Sequence, residues 1–353
     1  VLLTGGRLAV AVVNSLGVVF VYLLARRLWA GRQGSRGARE KEPAVVSVSS
    51  PPLPRSPVPL LAALLLALDP FLAGLAGLFH VDGLSATFVT LALLSLAVAL
   101  GEEQGGRGAG GQGRTRAVGN GAPLLPRSPA PLLFSGIMAG LAILTKTPTL
   151  VLLPVTGLAL LWAAWRDRRD LRGLIRPLRS GLLWGGAAAL TVIALYPALW
   201  SDAAAVLATV GGSANRHLDE ALRETFFLGR AVFDPGPLFY PVVLLWRLSP
   251  VVWLSVLPGA WLLWGALKRW TTNGPGWFVV GLLLLWAVVF LVAITPAAKK
   301  FDRYILPAVP ALLIAAAVVW ARWAQGSRGA GGPGGKAAPL PPPPPAPPRF
   351  SLP

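Results

Sequence analysis

Few residues in this chain could do chemistry, and most of them stand beside long apolar runs. Lys146 lies in GLAILTKTPTLVLLP, and Lys299, Lys300, Asp302, Arg303 and Tyr304 lie in KKFDRYILPAVP. His80 and Asp82 share a short turn, and Asp69 precedes Pro70 inside an apolar string. Ionisable groups in or next to membrane-crossing segments are costly, so each needs a partner, a watery cavity or a ligand. An ammonium and a guanidinium close together suit an anion, because arginine presents a planar fork to phosphate oxygens and lysine a compact charge. Plainer roles compete with this one. Asp82 can cap a helix N-terminus, Asp69 can serve the loosened backbone at a proline kink, and His80 can be an interfacial side chain. Lys146 can snorkel to the surface, and the 299–303 cluster can meet lipid headgroups. His80 with one carboxylate is too small a ligand set for a metal, and without cysteine there is no thiolate chemistry.

These residues must be positioned by elements that live in lipid. The chain is 54% hydrophobic and 13% charged, with a mean hydropathy of +0.63, above the apolar share of a soluble domain. Its apolar residues form continuous blocks rather than amphipathic stripes. A helix needs about 20 apolar residues to cross the hydrocarbon. Such stretches predict an all-α polytopic bundle of nine spans, at 8–25, 59–78, 83–100, 132–145, 148–165, 181–199, 238–266, 277–294 and 305–322. The stretch 132–145 is short, and 238–266 should kink at Pro241, Pro250 or Pro258. The net charge of +18 does not point to nucleic acid, since the cations punctuate apolar runs instead of gathering on one face.

Orientation follows from the positive residues retained in the cytoplasm. With 26–58, 101–131, 166–180, 267–276 and 322–353 inside, 23 of the 32 Lys and Arg residues lie there. That places His80, Asp82, Lys146 and the 299–304 cluster outside, together with a mixed-charge loop at 200–237. Within this loop, Asp202 to Arg223 reads as an interfacial helix anchored by Trp200. The transmembrane domain covers 1–325. Its inside loops at 30–58 and 101–131 are low in complexity and end in the near-identical strings LPRSPVPLL and LPRSPAPLL, and a Pro/Gly-rich tail expected to be disordered follows at 326–353. The opening at Val1, with no Met or basic n-region, reads as a truncated start.

Five strings, in order, resemble the GT-C superfamily of polytopic glycosyltransferases, particularly its protein O-mannosyltransferase and aminoarabinose transferase group. They are RLAVAVVNSLGVVFVYLLARRLWAG, LLLALDPFLAGLAGLFHVDGLSATFVTLALLSL, GLAILTKTPTLVLLP, FFLGRAVFDPGPLFYPVVLLWRLSP and KKFDRYILPAVPALL. The resemblance implies a multi-pass enzyme of the cytoplasmic membrane. It would move a sugar, with inversion, from a polyprenyl-phosphate donor to a protein, glycolipid or glycan acceptor on the outer face. Lys146, Lys299, Arg303, Tyr304 and His80 become candidate substrate-binding residues and Asp82 a candidate catalytic carboxylate. In the family the principal catalytic Asp precedes the span that resembles 8–25, so here it would fall upstream of Val1. A divalent metal stays open. A secondary transporter or lipid flippase is the competing class, because Pro-broken helices and a few outside charges also suit alternating access.

Overall fold

The computed structural model describes residues 2–30, 56–76, 78, 80–108, 128–166, 172–219, 224–268, 275–297 and 299–330. The low-complexity readings fall mainly on 31–55, 109–127 and 331–353, outside the described residues. The helices are α1 (Leu2–Ala30), α2 (Val58–Leu68), α3 (Pro70–Ala76), α4 (Val81–Gly108), α5 (Ala130–Thr145), α6 (Leu152–Arg166), α7 (Arg172–Leu195), α8 (Ala198–Ser201), α9 (Ala203–Asp219), α10 (Phe239–Arg247), α11 (Pro250–Leu254), α12 (Val256–Lys268), α13 (Pro275–Ile294) and α14 (Val309–Ala330). Two 3-10 turns, Thr147–Val151 and Asp302–Ile305, and one hairpin, β1 (Thr225–Phe227) with β2 (Arg230–Val232), complete them.

The fold is a polytopic helical membrane bundle. Among the described residues five helices are long and apolar enough to cross a bilayer, and two bent pairs make up to seven spans. The shorter apolar helices 130–145 and 309–325 stand where the two remaining sequence-predicted spans were expected. At 1.5 Å per residue, the 16 residues of α5 reach only about 24 Å.

Prolines account for the departures from the expected spans. The stretch 59–78 breaks at Asp69 with a bend of 62°, because a residue before proline is pushed out of the helical region. Asp69 is extended there, and its Oδ1 accepts the amide hydrogen of Leu72 at 2.9 Å, so it caps α3 as the kink reading expected. The stretch 238–266 does more than kink: α10 and the helix from Pro250 to Gly265 meet at 100°, since Leu248 is extended and Ser249, ahead of Pro250, also lies outside the helical region. Pro197 stops α7 at Leu195, short of the expected 199, and the last helix starts at Val309, after Pro307, rather than at 305. It also continues to Ala330, past the expected start of the tail. Both LPRSP strings start helices in the same way, with Pro57 and Pro129 at the N-cap and a second proline in the first turn, where no amide hydrogen is missed.

The core runs along α4, whose membrane window is 83% buried, against 17% for α7 and 28% for α1. α4 is therefore the central post and α1 and α7 face lipid. Leu93, Leu94 and Leu96 of α4 and Leu313 and Ile314 of α14 are fully enclosed. Buried Trp286 of α13 donates from Nε1 to the Pro307 carbonyl at 2.9 Å, tying α13 to the entry of the last helix. The stretch expected to be helical from Asp202 to Arg223 forms α9 over Ala203–Asp219, capped by Asp202, whose Oδ1 accepts from the Ala205 amide. The adjacent hairpin turns at Leu228 and Gly229, both at positive φ, the geometry a two-residue turn requires.

Candidate functional site

Three chain breaks bring the candidate residues to one end of the bundle. Asp82 occupies the first turn of α4, where a carboxylate complements the helix dipole. Lys146 is the extended residue between α5 and the Thr147–Val151 turn, since Pro148 prevents α5 from continuing. Its carbonyl accepts both the amide and the Oγ1 hydrogen of Thr149, which fixes the backbone from which the ammonium reaches out. Arg303 and Tyr304 lie in the turn Asp302–Ile305, before α14.

Asp82 is the hub. Its side chain is 3% exposed, and among the described residues it accepts, at Oδ1, from the Lys146 ammonium rather than from a backbone amide. Oδ2 has Arg303 Nε at 3.5 Å and His80 Nδ1 at 2.9 Å. His80 Nδ1 also lies 3.3 Å from the Asp82 amide. The two histidine contacts exclude each other: an unprotonated Nδ1 accepts from the amide, and a protonated one donates to the carboxylate. Arg303 Nε makes an ion pair but no well-formed hydrogen bond, and it is a buried donor without a partner among the described residues. One carboxylate thus faces an ammonium, a guanidinium and a histidine, so cationic groups outnumber the carboxylate.

Tyr304 supports the cations by its ring. Lys146 Nζ stands 3.9 Å from the ring centroid, within range of the attraction between an ammonium and an aromatic face. Burial pushes the Lys146 ammonium below its ordinary value, and the Asp82 carboxylate opposes that shift. Burial likewise raises the Tyr304 phenol.

A cavity of about 480 Å³ opens beside the cluster, lined by Lys146, Lys299, Tyr304 and Tyr240 together with the apolar Leu150, Val151, Phe290 and Ile294. The structure therefore brings His80, Asp82, Lys146, Arg303 and Tyr304 into one cluster and sets Lys299 on the adjoining cavity. Lys300 turns away: it is 1% exposed and donates to Asp234 Oδ1 at 2.6 Å, and the Lys300 hydrogen bond and the Gly236 amide hold the Asp234 carboxyl low. Thr225 Oγ1 donates to the Lys300 carbonyl at 3.1 Å, so the outer hairpin is tied to this turn. Arg247 pairs with Asp302 at 2.5 Å. Among the described residues no three His, Asp or Glu side chains converge to hold a metal. His80 and Asp82, with Lys146 and Arg303 already on the carboxylate, do not fit a divalent ion either.

Sequence reasoning missed Tyr240, Asp234 and Arg247. An isolated tyrosine near a span end is indistinguishable in sequence from the aromatic belt of any membrane protein. The pairs Lys300–Asp234 and Arg247–Asp302 join residues far apart in the chain, with no local pattern to announce them.

The fold is similar to that in the crystal structure of ArnT from Cupriavidus metallidurans bound to undecaprenyl phosphate, with a TM-score of 0.45 and 19% identity over 91% of this chain and 48% of that one. The chain spans about half the length of that protein. No protein-family model and no curated protein matches it.

Proposed function

We propose that the chain is part of a membrane glycosyltransferase that moves a sugar from a polyprenyl-phosphate carrier to an acceptor at the non-cytoplasmic end of the bundle. The observation that carries this reading is the cluster in which Lys146, Arg303 and His80 converge on buried Asp82, beside a cavity lined by both lysines and apolar side chains. Such a cavity suits a phosphate with a hydrocarbon chain. As the glycosidic bond breaks, the bonding electrons pass to the carrier phosphate, and preorganised cations stabilise the charge that develops there. Lys146 and Arg303 take that part, with Lys299 adding to the positive field and Tyr304 holding the Lys146 ammonium. Asp82 is engaged by both cations, which suits a positioning role better than proton abstraction. The acceptor hydroxyl needs a carboxylate base on the opposite face of the sugar. A protein, glycolipid or glycan acceptor is compatible with this geometry, and inversion follows from a single displacement.

The test is transfer of a labelled sugar from polyprenyl phosphate by membranes holding the full-length protein. Lys146→Ala and Arg303→Ala should each lower the turnover rate by roughly 10²–10³-fold, the scale of losing one donor aimed at developing charge, while membrane insertion is unchanged. Transfer at the wild-type rate in both variants removes the phosphate role. The helices bent by 62° and 100° keep alternating-access transport as a second reading. Robust solute uptake by vesicles that contain no lipid-linked sugar would favour it.

A further inference from the structure

Arg247 and Asp302 form an ion pair that the cluster around Asp82 does not use, although it stands one residue from Arg303. Arg247 closes α10, just before the chain turns by 100°. Its Nη2 donates to Asp302 Oδ2 at 2.5 Å, and its guanidinium carbon lies 5.5 Å from the ring centroid of Phe71 in α3, within range of a cation–π contact. Asp302 is engaged on both oxygens, since Oδ1 accepts the Arg303 amide hydrogen at 2.7 Å. One carboxylate therefore closes the turn that carries Arg303 and Tyr304 and fastens that turn to α10. The same guanidinium reaches α3, the segment that leads to His80 and Asp82.

Stability gives little reason for this arrangement. The two side chains are 50% and 40% exposed, and ion pairs open to water add little to the stability of a fold. Charge gives a better reason. Arg303 Nε has the Asp82 carboxylate at 3.5 Å, and that carboxylate also takes the Lys146 ammonium. A second carboxylate, Asp302, is the next residue in the chain. Left uncompensated, it would draw on the Arg303 guanidinium and repel any anion that approaches the cluster. Arg247 suppresses both effects by holding Asp302 from the side of α10, and a planar guanidinium can meet a carboxylate at its edge while an aromatic ring meets its face. We infer that Arg247 is a positioning residue of the site: by binding Asp302 it keeps the Arg303 guanidinium available to an anionic substrate group and keeps the cluster cationic. The inference rests on the carrier-phosphate reading of the preceding subsection, and it concerns the charge behind the anion site rather than the groups that touch the anion.

The experiment measures binding of farnesyl phosphate, with farnesol as the uncharged probe, and melting temperature, for the full-length protein in nanodiscs as wild type, Arg247→Met, Asp302→Asn and the double variant. Wild type should bind farnesyl phosphate more tightly than farnesol. Arg247→Met should weaken farnesyl phosphate binding by roughly tenfold, the scale of one uncompensated charge near a protein surface, and leave farnesol binding unchanged. It should melt close to wild type, as the loss of a water-exposed pair predicts. Asp302→Asn keeps an oxygen for the Arg303 amide and loses the charge, so it should bind farnesyl phosphate at least as tightly as wild type. The double variant should recover wild-type binding, because without the carboxylate there is nothing for Arg247 to offset. Equal binding by wild type and Arg247→Met, or a double variant as weak as Arg247→Met, overturns the role of Arg247 while leaving the carrier-phosphate reading intact. An Arg247→Met protein that does not fold, or that loses farnesol as strongly as farnesyl phosphate, overturns it too, since the pair would then be structural. No preference of wild type for farnesyl phosphate over farnesol removes the carrier-phosphate reading, and this inference with it.

Discussion

At the scale of single residues, Lys146 has the most to lose from its surroundings and the most to give. Its ammonium is removed from water and kept charged by Asp82 and by the face of Tyr304. Burial wins over the carboxylate in setting the direction of its proton affinity, which falls below the ordinary 10.5. Activity that needs the charged form should therefore fail on the alkaline side at a pH below that of free lysine. Stability moves the other way: between the folded and unfolded values the unfolded chain binds more protons, so unfolding becomes harder as pH rises through that window. A pH profile of sugar transfer set beside a pH series of melting temperatures checks both, and Lys146→Arg should shift the alkaline limb upward wherever activity survives. Asp82, Lys146 and Arg303 were legible in the sequence because a charge next to an apolar run is conspicuous. Their pairing was not, since one carboxylate serving a histidine and two cations from three parts of the chain is a property of the packed bundle.

At the scale of elements, the position of Lys146 depends on how closely α5 approaches α7. Gly136 and Gly140 lie one turn apart on α5, the small-xxx-small spacing that lets transmembrane helices touch through their backbones. A Cβ on Gly140 would stand 2.7 Å from the Ala188 carbonyl oxygen, and one on Gly136 would meet the Trp184 carbonyl oxygen. Between these helices Trp184 Nε1 donates to Ser135 Oγ at 3.0 Å, and Ser135 Oγ donates to the Ala92 carbonyl at 2.7 Å, which locks α7, α5 and the central α4 together. Gly140→Ala should cost about 1–3 kcal/mol by overpacking, and through the displaced end of α5 it should weaken the Lys146–Asp82 contact and slow transfer. Gly185→Ala is the control: it is on α7 with nothing within 4 Å of its Cβ, so its melting temperature should equal or exceed wild type through helix propensity. A Gly140→Ala melt matching that control would dismiss the close-approach argument. Periodicity and apolar length located α1, α4, α6, α7 and α13 from sequence alone. The 100° turn at Pro250 and the hairpin at 225–232 were hidden, the first because proline marks a break without its angle, the second because three-residue strands carry too little alternation to register.

At the scale of the whole molecule, the contacts Lys146–Asp82, Arg303–Asp82, Lys300–Asp234 and Thr225–Lys300 put the turns at 80–82, 146, 225–238 and 299–304 at one end of the bundle. The alternation of spans read from the sequence places those same turns on one side of the bilayer, and from the excess of Lys and Arg in the other loops we propose that this side is the non-cytoplasmic one. Geometry and charge agree on the grouping, but only charge fixes the sign. The chain has no cysteine, so single cysteines report the sign without background. Ser201→Cys, exposed on α8 at the end of α7, should react with a membrane-impermeant maleimide in intact cells, and Ser35→Cys, in the basic loop after α1, should react only after permeabilisation. Labelling of both in intact cells, or of neither, would place the Lys146 cluster and the basic loop in one compartment. Either result would overturn the alternation of spans on which the proposed topology rests. The reverse pattern would leave the cluster intact but turn it to the cytoplasm, where a soluble nucleotide-sugar donor would compete as the natural substrate class.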